Sequence, residues 1–191
     1  MKTKDIKTER LILRSMTLDD ADFAAKLWGD PENGKYLADQ PYKNGDELRK
    51  VIYDIDEWED EYPFIAVCKN TGEPVATCCL GTEGPKDHWG FGYTVKKDLW
   101  GQGLATEMVK ALINFAYSLG VRNFYCTVAK ENKASCRVME KCGLKIQETK
   151  AFKKRNTDLE FESNIYTMTS YNKSSNLSQI IIVRRSYPQY T

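Results

Sequence analysis

Residues 91–107 read FGYTVKKDLWGQGLATE, and the rest of the chain arranges itself around them. Phe91, Tyr93 and Val95 alternate with Gly92 and Thr94, the period-two pattern of a strand. A short polar run follows, then Trp100-Gly101-Gln102-Gly103, and a helical pattern begins at Leu104. Strand, glycine turn and helix start together can hold a phosphate. Glycine lets the backbone come close, and the first N–H groups of a helix have no partners within it. Those groups, with the positive end of the helix dipole, favour an anion. Taken alone, the pattern equally suits a plain strand-to-helix turn in which the glycines supply only tightness.

Downstream, Leu104, Met108, Val109, Leu112, Ile113, Ala116 and Leu119 recur at helical spacing, with Gly120 as the stop. Residues 123–129 form a β-rich run. Asn132 is a natural N-cap for a short helix that reaches Cys142 and ends at Gly143. Residues 144–148 and 161–169 read as strands joined by a charged connection over 150–158. Upstream, residues 64–68 and 74–80 form a hairpin around Gly72, and 81–89 is a polar loop. Residues 1–9 are polar and expected to be loose, and residues 10–14 open the first strand. Thr17 stands three residues before Asp20, a capping-box spacing, ahead of a helix carrying Ala21, Ala24, Leu27 and Trp28. Residues 30–34 carry turn chemistry, and a second helix is predicted from Asp46 to about Glu59. The order β-α-α-β-β-β-α-β-α-β-β gives an α/β fold, a mixed sheet whose central strands are covered by helices.

With 191 residues the chain suits one domain, taken as residues 1–171, with a tail over 172–191. The tail is linker-like and then carries Ile180-Ile181-Ile182-Val183; the reading assigns it no function. The net charge of +1 forces no basic face, so no nucleic-acid partner is expected. No apolar run matches a signal peptide or a membrane span, so the expected location is cytoplasmic, with no membrane partner. The six cysteines show no CxxC pair and no zinc-ligand spacing, so buried free thiols and no metal are expected. A cysteine nucleophile would have to use His88, the single histidine, as its base.

Several segments together resemble one family. Thr8-Glu9-Arg10-Leu11-Ile12-Leu13-Arg14 resembles the opening of the GNAT superfamily of N-acetyltransferases, and more narrowly the group that includes the ribosomal-protein N-terminal acetyltransferases. Trp100-Gly101-Gln102-Gly103-Leu104-Ala105 resembles its acetyl-CoA motif, [Gln/Arg]-x-x-Gly-x-[Gly/Ala], with an aromatic at the first position. Asn132-Lys133-Ala134-Ser135 through Gly143-Leu144 resembles its second motif. Any one of these is weak. Their ordered combination over residues 8 to about 170 is strong.

The resemblance implies that the strand through Val95 splays from its neighbour, and that backbone amides of Tyr93, Thr94 and Val95 bind the pantetheine arm of acetyl-CoA. One of these amides would stabilise the oxyanion formed on attack. The N–H groups of Gly101, Gln102, Gly103, Leu104, Ala105 and Thr106 would hold the pyrophosphate, with the Thr106 hydroxyl in reach. Asn132 would reach the pantetheine or simply cap its helix; the two roles can coexist. An alkylammonium, with a pKa of about 10, must lose a proton before it attacks, and the departing thiolate benefits from a donor. Where much of the superfamily places a donor tyrosine, this chain has Met139. Ser135 stands where ribosomal-protein-type members place a serine near the sulfur, and its alternative role is ordinary first-turn helix chemistry. The superfamily's glutamate base falls on Gly90 here, leaving Glu83, Asp87 and His88 as loop candidates.

The implied activity is N-acetyl transfer from acetyl-CoA to a primary amine on a protein N-terminus, a polyamine or another small molecule, and a homodimer is compatible with it. The alternative is an acyl-CoA-binding module without catalysis. Trp28, Tyr36, Tyr42, Trp58 and Trp89 are candidates to line the acceptor pocket, with core packing as their other role.

Overall fold

The computed structural model describes residues 3–38, 42–53, 59–85, 87–154 and 157–169. Within these lie strands β1 (Ile6–Lys7), β2 (Leu11–Ser15), β3 (Glu61–Cys68), β4 (Pro74–Thr82), β5 (His88–Val95), β6 (Asn123–Ala129), β7 (Lys145–Lys153) and β8 (Glu160–Thr169). The helices are α1 (Ala21–Gly29), α2 (Pro31–Gly34), α3 (Gly45–Ile52), α4 (Leu104–Ser118) and α5 (Lys133–Lys141). The strands form one sheet in the order β1-β2-β3-β4-β5-β6-β8-β7. Neighbours pair antiparallel except β5 with β6. This is the mixed α/β sheet that the pattern of elements predicted.

Alternation along the strands sends side chains to two separate cores. Leu11, Leu13, Phe64, Leu80, Phe91 and Val95 pack with Met108, Val109 and Leu112 of α4 on one face. On the other, Ile65 meets Ala21 and Ala24 of α1 and Leu48 and Ile52 of α3. Helices α4 and α5 end the same way. Gly120 and Gly143 adopt left-handed φ values of 88° and 90°. The next N–H then reaches back to the helix, Val121 to the Ala116 carbonyl at 3.0 Å and Leu144 to that of Met139 at 3.1 Å.

The Thr17–Asp20 spacing does form a capping box, around a 3-10 turn (Leu18–Asp20) that leads into α1. Buried Asp20 also receives a bidentate pair from Arg14, at 2.6 and 2.7 Å. Burial alone would raise its pKa, but the hydrogen bonds from Arg14 and Thr17 outweigh this and hold it below the usual range.

Five local expectations change. The loop expected over 81–89 is shorter, because β4 runs through Thr82 and β5 starts at His88, with Thr82 paired to Trp89. Residues 6–7, expected to be loose, pair with β2 as β1. Residues 30–34 are not only a turn: Asp30 accepts from the N–H groups of Glu32 and Asn33 and starts α2. The second helix, α3, starts at Gly45 under an Asn44 cap and ends at Ile52; residues 54–58 of its predicted extension lie outside the described residues. The first part of the charged connection, 150–153, is strand: β7 runs through Lys153 because its backbone ladder with β8 forms whatever its solvated side chains are. The proposed tail, 172–191, lies outside the described residues. Among the described residues no helix is long and apolar enough to cross a membrane.

Leu112 is fully buried in the α4 core. Leu112→Ala is expected to cost about 2–5 kcal/mol through lost burial and a residual cavity. Urea unfolding should show this as a lower midpoint at an unchanged slope.

Candidate functional site

After β5 the chain makes a 3-10 turn (Lys97–Leu99), and the Trp100 indole N–H donates to the Val95 carbonyl at 2.8 Å. This bond pins the turn to the end of the strand. Gly101 and Gly103 follow at φ 77° and 79°. A side chain at Gly101 would meet nothing within 4 Å, and one at Gly103 would meet only Arg10 Nη2 at 3.7 Å. What demands glycine at both positions is the left-handed backbone rather than crowding. Gly103 is the N-cap of α4 and supplies no side-chain cap, so the first-turn N–H groups at Leu104, Ala105 and Thr106 are left for an external acceptor.

The turn is tied to the start of the chain. Glu107, in the first turn of α4, accepts from Thr8 Oγ1 at 2.5 Å, the Arg10 N–H at 2.8 Å and Arg10 Nε at 2.7 Å. Arg10 Nη1 donates to the Gln102 carbonyl at 2.9 Å. Burial opposes the charge on Glu107, but the bonds from Thr8 and Arg10 together lower its pKa. The sequence reading used Thr8 and Arg10 only as part of a resemblance and missed this role. Glu107 lies 99 positions from Thr8, and only the fold brings the two together.

β5 and β6 pair in parallel at just two positions, His88↔Asn123 and Trp89↔Phe124. Thereafter β5 stays on β4 as far as Val95↔Ala76, while β6 stays on β8. Facing edges of β5 and β6 are therefore unpaired, as the splayed-strand expectation requires. Backbone groups alternate sides along a strand. The Lys96 N–H reaches Val75 of β4. By this alternation the N–H groups of Tyr93 and Val95 face the open wedge, and that of Thr94 faces β4.

Asn132 caps α5, its side-chain oxygen accepting the Ser135 N–H at 3.1 Å, so the cap role is observed and only its amide nitrogen is left for a ligand. Ser135 sits in the first turn of α5, and the Tyr93 hydroxyl donates to its Oγ at 2.9 Å. Met139, at the place of the superfamily's tyrosine, is core.

On the face of β5 away from α4 lie Gly90 and Gly92. Gly81 and Gly90 are direct partners across β4 and β5. A side chain at Gly90 would collide with the Glu83 carboxylate, and one at Gly81 with that of Glu61. Two carboxylates thus lie over a glycine floor, and Gly90 makes the room for one of them. Cys79, between them, keeps exposed surface yet is densely surrounded, and this desolvation together with Glu61 and Glu83 pushes its thiol up to about 11. Of the other base candidates, Asp87 occupies a left-handed turn position and His88 starts β5, edge-on to Tyr125. All six cysteines are free, with Cys78, Cys126 and Cys136 buried.

The aromatic candidates divide. Trp28 sits on the same face as Glu83, its indole donating to Thr77 Oγ1 at 2.9 Å and its ring near Tyr42. Trp89 stacks on Tyr62 in the α4 core, and Tyr36 packs on Phe161. Trp58 lies outside the described residues.

Comparison with known proteins agrees with this geometry. The acetyltransferase (GNAT) domain family matches residues 10–145. An uncharacterized N-acetyltransferase p20 of Bacillus licheniformis is 32% identical over 137 residues, covering 69% of this chain and 77% of that protein. A spermidine N-acetyltransferase from Vibrio cholerae, solved with CoA and spermine, superposes with a TM-score of 0.75 at 17% identity, covering 84% of this chain and 95% of the other. A ribosomal-protein-S5-alanine acetyltransferase from Vibrio fischeri gives 0.75 at 13% identity, covering 87% and 97%.

Because the folded-state pKa of Glu107 is lowered, its stabilising contribution is present above its ordinary value of 4.5 and is lost as pH falls through the lower folded value. Urea unfolding of wild type and Glu107→Gln should therefore differ most at neutral pH and converge below about pH 4.

Proposed function

This chain belongs to the acetyltransferase (GNAT) family, and we propose that it transfers the acetyl group of acetyl-CoA directly to a primary amine. The observation that carries the reading is the wedge between β5 and β6, which opens beside a helix N-terminus whose first N–H groups lack a cap. In this reading the N–H groups of residues 101–106 hold the pyrophosphate, Tyr93 and Val95 hold the pantetheine arm, and Thr94 supports them from within the ladder. Asn132 adds an amide donor. The amine nitrogen forms its bond to the thioester carbon, one of the wedge amides holds the carbonyl oxygen, and the C–S bond breaks toward Ser135.

The two proton tasks would fall on opposite faces of β5. Ser135 stands on the α4 and α5 side, whereas Glu83 and Glu61 stand on the α1 and α3 side. Glu83, which lies where a side chain on Gly90 would be, is the base this arrangement favours. A cationic amine entering over the two carboxylates is the matching acceptor. The neighbours that act on spermidine and on a ribosomal-protein alanine support an amine acceptor of this kind. Membership of the ribosomal-protein-type group, a cytoplasmic location, the catalytic domain at 1–171 and a homodimer belong to the same proposal.

The test is release of free CoA from acetyl-CoA across a panel of spermidine, an aminoglycoside and a peptide with a free N-terminus. Turnover of at least one cationic amine is expected. Tight CoA binding without turnover anywhere would replace the enzyme reading with a binding module. Gly103→Val forces a branched side chain into left-handed backbone and disturbs the N–H cradle. It should weaken CoA binding by at least about 100-fold, the loss of two charge-assisted hydrogen bonds, with the circular dichroism spectrum retained. Unchanged affinity by calorimetry would show that the turn is not the phosphate site.

A further inference from the structure

Tyr93 was singled out for its backbone, yet its side chain does something the reaction can use. From β5 it reaches across the opening to α5, the helix that follows β6, and its hydroxyl donates to Ser135 Oγ at 2.9 Å. This bond spans the wedge at a level where the two strands no longer pair. A serine hydroxyl has one proton to donate and two lone pairs with which to accept. With one lone pair taken by Tyr93, and the Ser135 N–H already committed to Asn132, the hydroxyl is held in place and its proton must point elsewhere.

We infer that Tyr93 is a positioning residue for catalysis, fixing Ser135 so that its hydroxyl donates a hydrogen bond to the CoA sulfur as the C–S bond breaks. This rests on the reading of Ser135 as the group beside the sulfur. The new N–C bond forms from the amine lone pair, the C–S electron pair leaves on sulfur, and Ser135 stabilises that charge without giving up its proton to Tyr93. The surroundings keep the Tyr93 hydroxyl able to donate. Burial among Cys126, Cys136 and Cys142 pushes the Tyr93 phenol well above its ordinary range, so it stays protonated at all working pH values. Burial raises the Cys126 and Cys142 thiols as well, so neither offers a competing thiolate acceptor.

Steady-state kinetics of Tyr93→Phe, Ser135→Ala and the double variant test this on the full-length protein, with whichever amine the panel identifies. Tyr93→Phe keeps the ring and its packing and removes only the hydroxyl. It should lower kcat by about 5–10-fold, the worth of one hydrogen bond, with KM for acetyl-CoA and CoA affinity within about twofold of wild type. Ser135→Ala should lower kcat at least as much, and adding Tyr93→Phe to it should cost nothing further. A fall in kcat for Ser135→Ala with Tyr93→Phe unchanged would overturn the positioning role and leave the serine reading standing. Independent, multiplying losses, or a Tyr93→Phe defect confined to KM and thermal stability, would make the tyrosine structural. Full activity in Ser135→Ala would overturn both.

Discussion

The parting of β5 and β6 after Trp89 and Phe124 is the constraint on which the rest of this structure depends. A parallel pair continued to the strand ends would have consumed the inward N–H groups of Tyr93 and Val95 in the sheet. By separating, the strands leave polar backbone unpaired at the centre of the fold, an arrangement that is costly unless a ligand or water satisfies it. The sheet tolerates this because each strand is secured on its other side, β5 along β4 and β6 along the whole of its length on β8. Two half-sheets, each with its own antiparallel support, share a hinge of two residue pairs.

What the wedge opens toward is set by a second constraint. The first turn of α4 has to face the same opening, and the chain fixes it from both ends. Trp100 pins the glycine turn to Val95, and Thr8 and Arg10 clamp Glu107 and the Gln102 carbonyl. Uncapped N–H groups and the helix dipole then act in the same direction, toward an anion. An acidic residue in the first turn would otherwise weaken that preference. Here the charge of Glu107 is spent on Arg10 and Thr8, so it orients the turn without repelling a phosphate.

Much of this was legible in the sequence, for identifiable reasons. Strands β5 and β6, helices α4 and α5 and the Thr17–Asp20 box each follow from local pattern or cap chemistry within a few residues. Of the charged strand β7 only the start, 145–148, was legible; its continuation to Lys153 was not, because its side chains are solvated and carry no alternation, while backbone pairing with β8 alone forms it. The site divides along the same line. Its glycines and its N-cap asparagine are local features. The contacts of Glu107 with Arg10 and of Tyr93 with Ser135 join elements far apart in the chain, and that of Glu83 with the space above Gly90 depends on how the chain turns between β4 and β5. Gly90 is instructive: read alone it looked like the loss of a base, whereas in the fold it is the gap into which a carboxylate from the preceding segment fits.

The central claim is that the wedge and the glycine turn form one continuous acetyl-CoA site. Its most direct test is a titration of the ¹⁵N-labelled protein with CoA, following backbone amide shifts. The account predicts saturable shifts at Tyr93 and Val95 together with Gly101, Gly103, Leu104, Ala105 and Thr106, all reporting one dissociation constant. Binding that leaves these amides unmoved, or that moves the turn without the wedge, would contradict it.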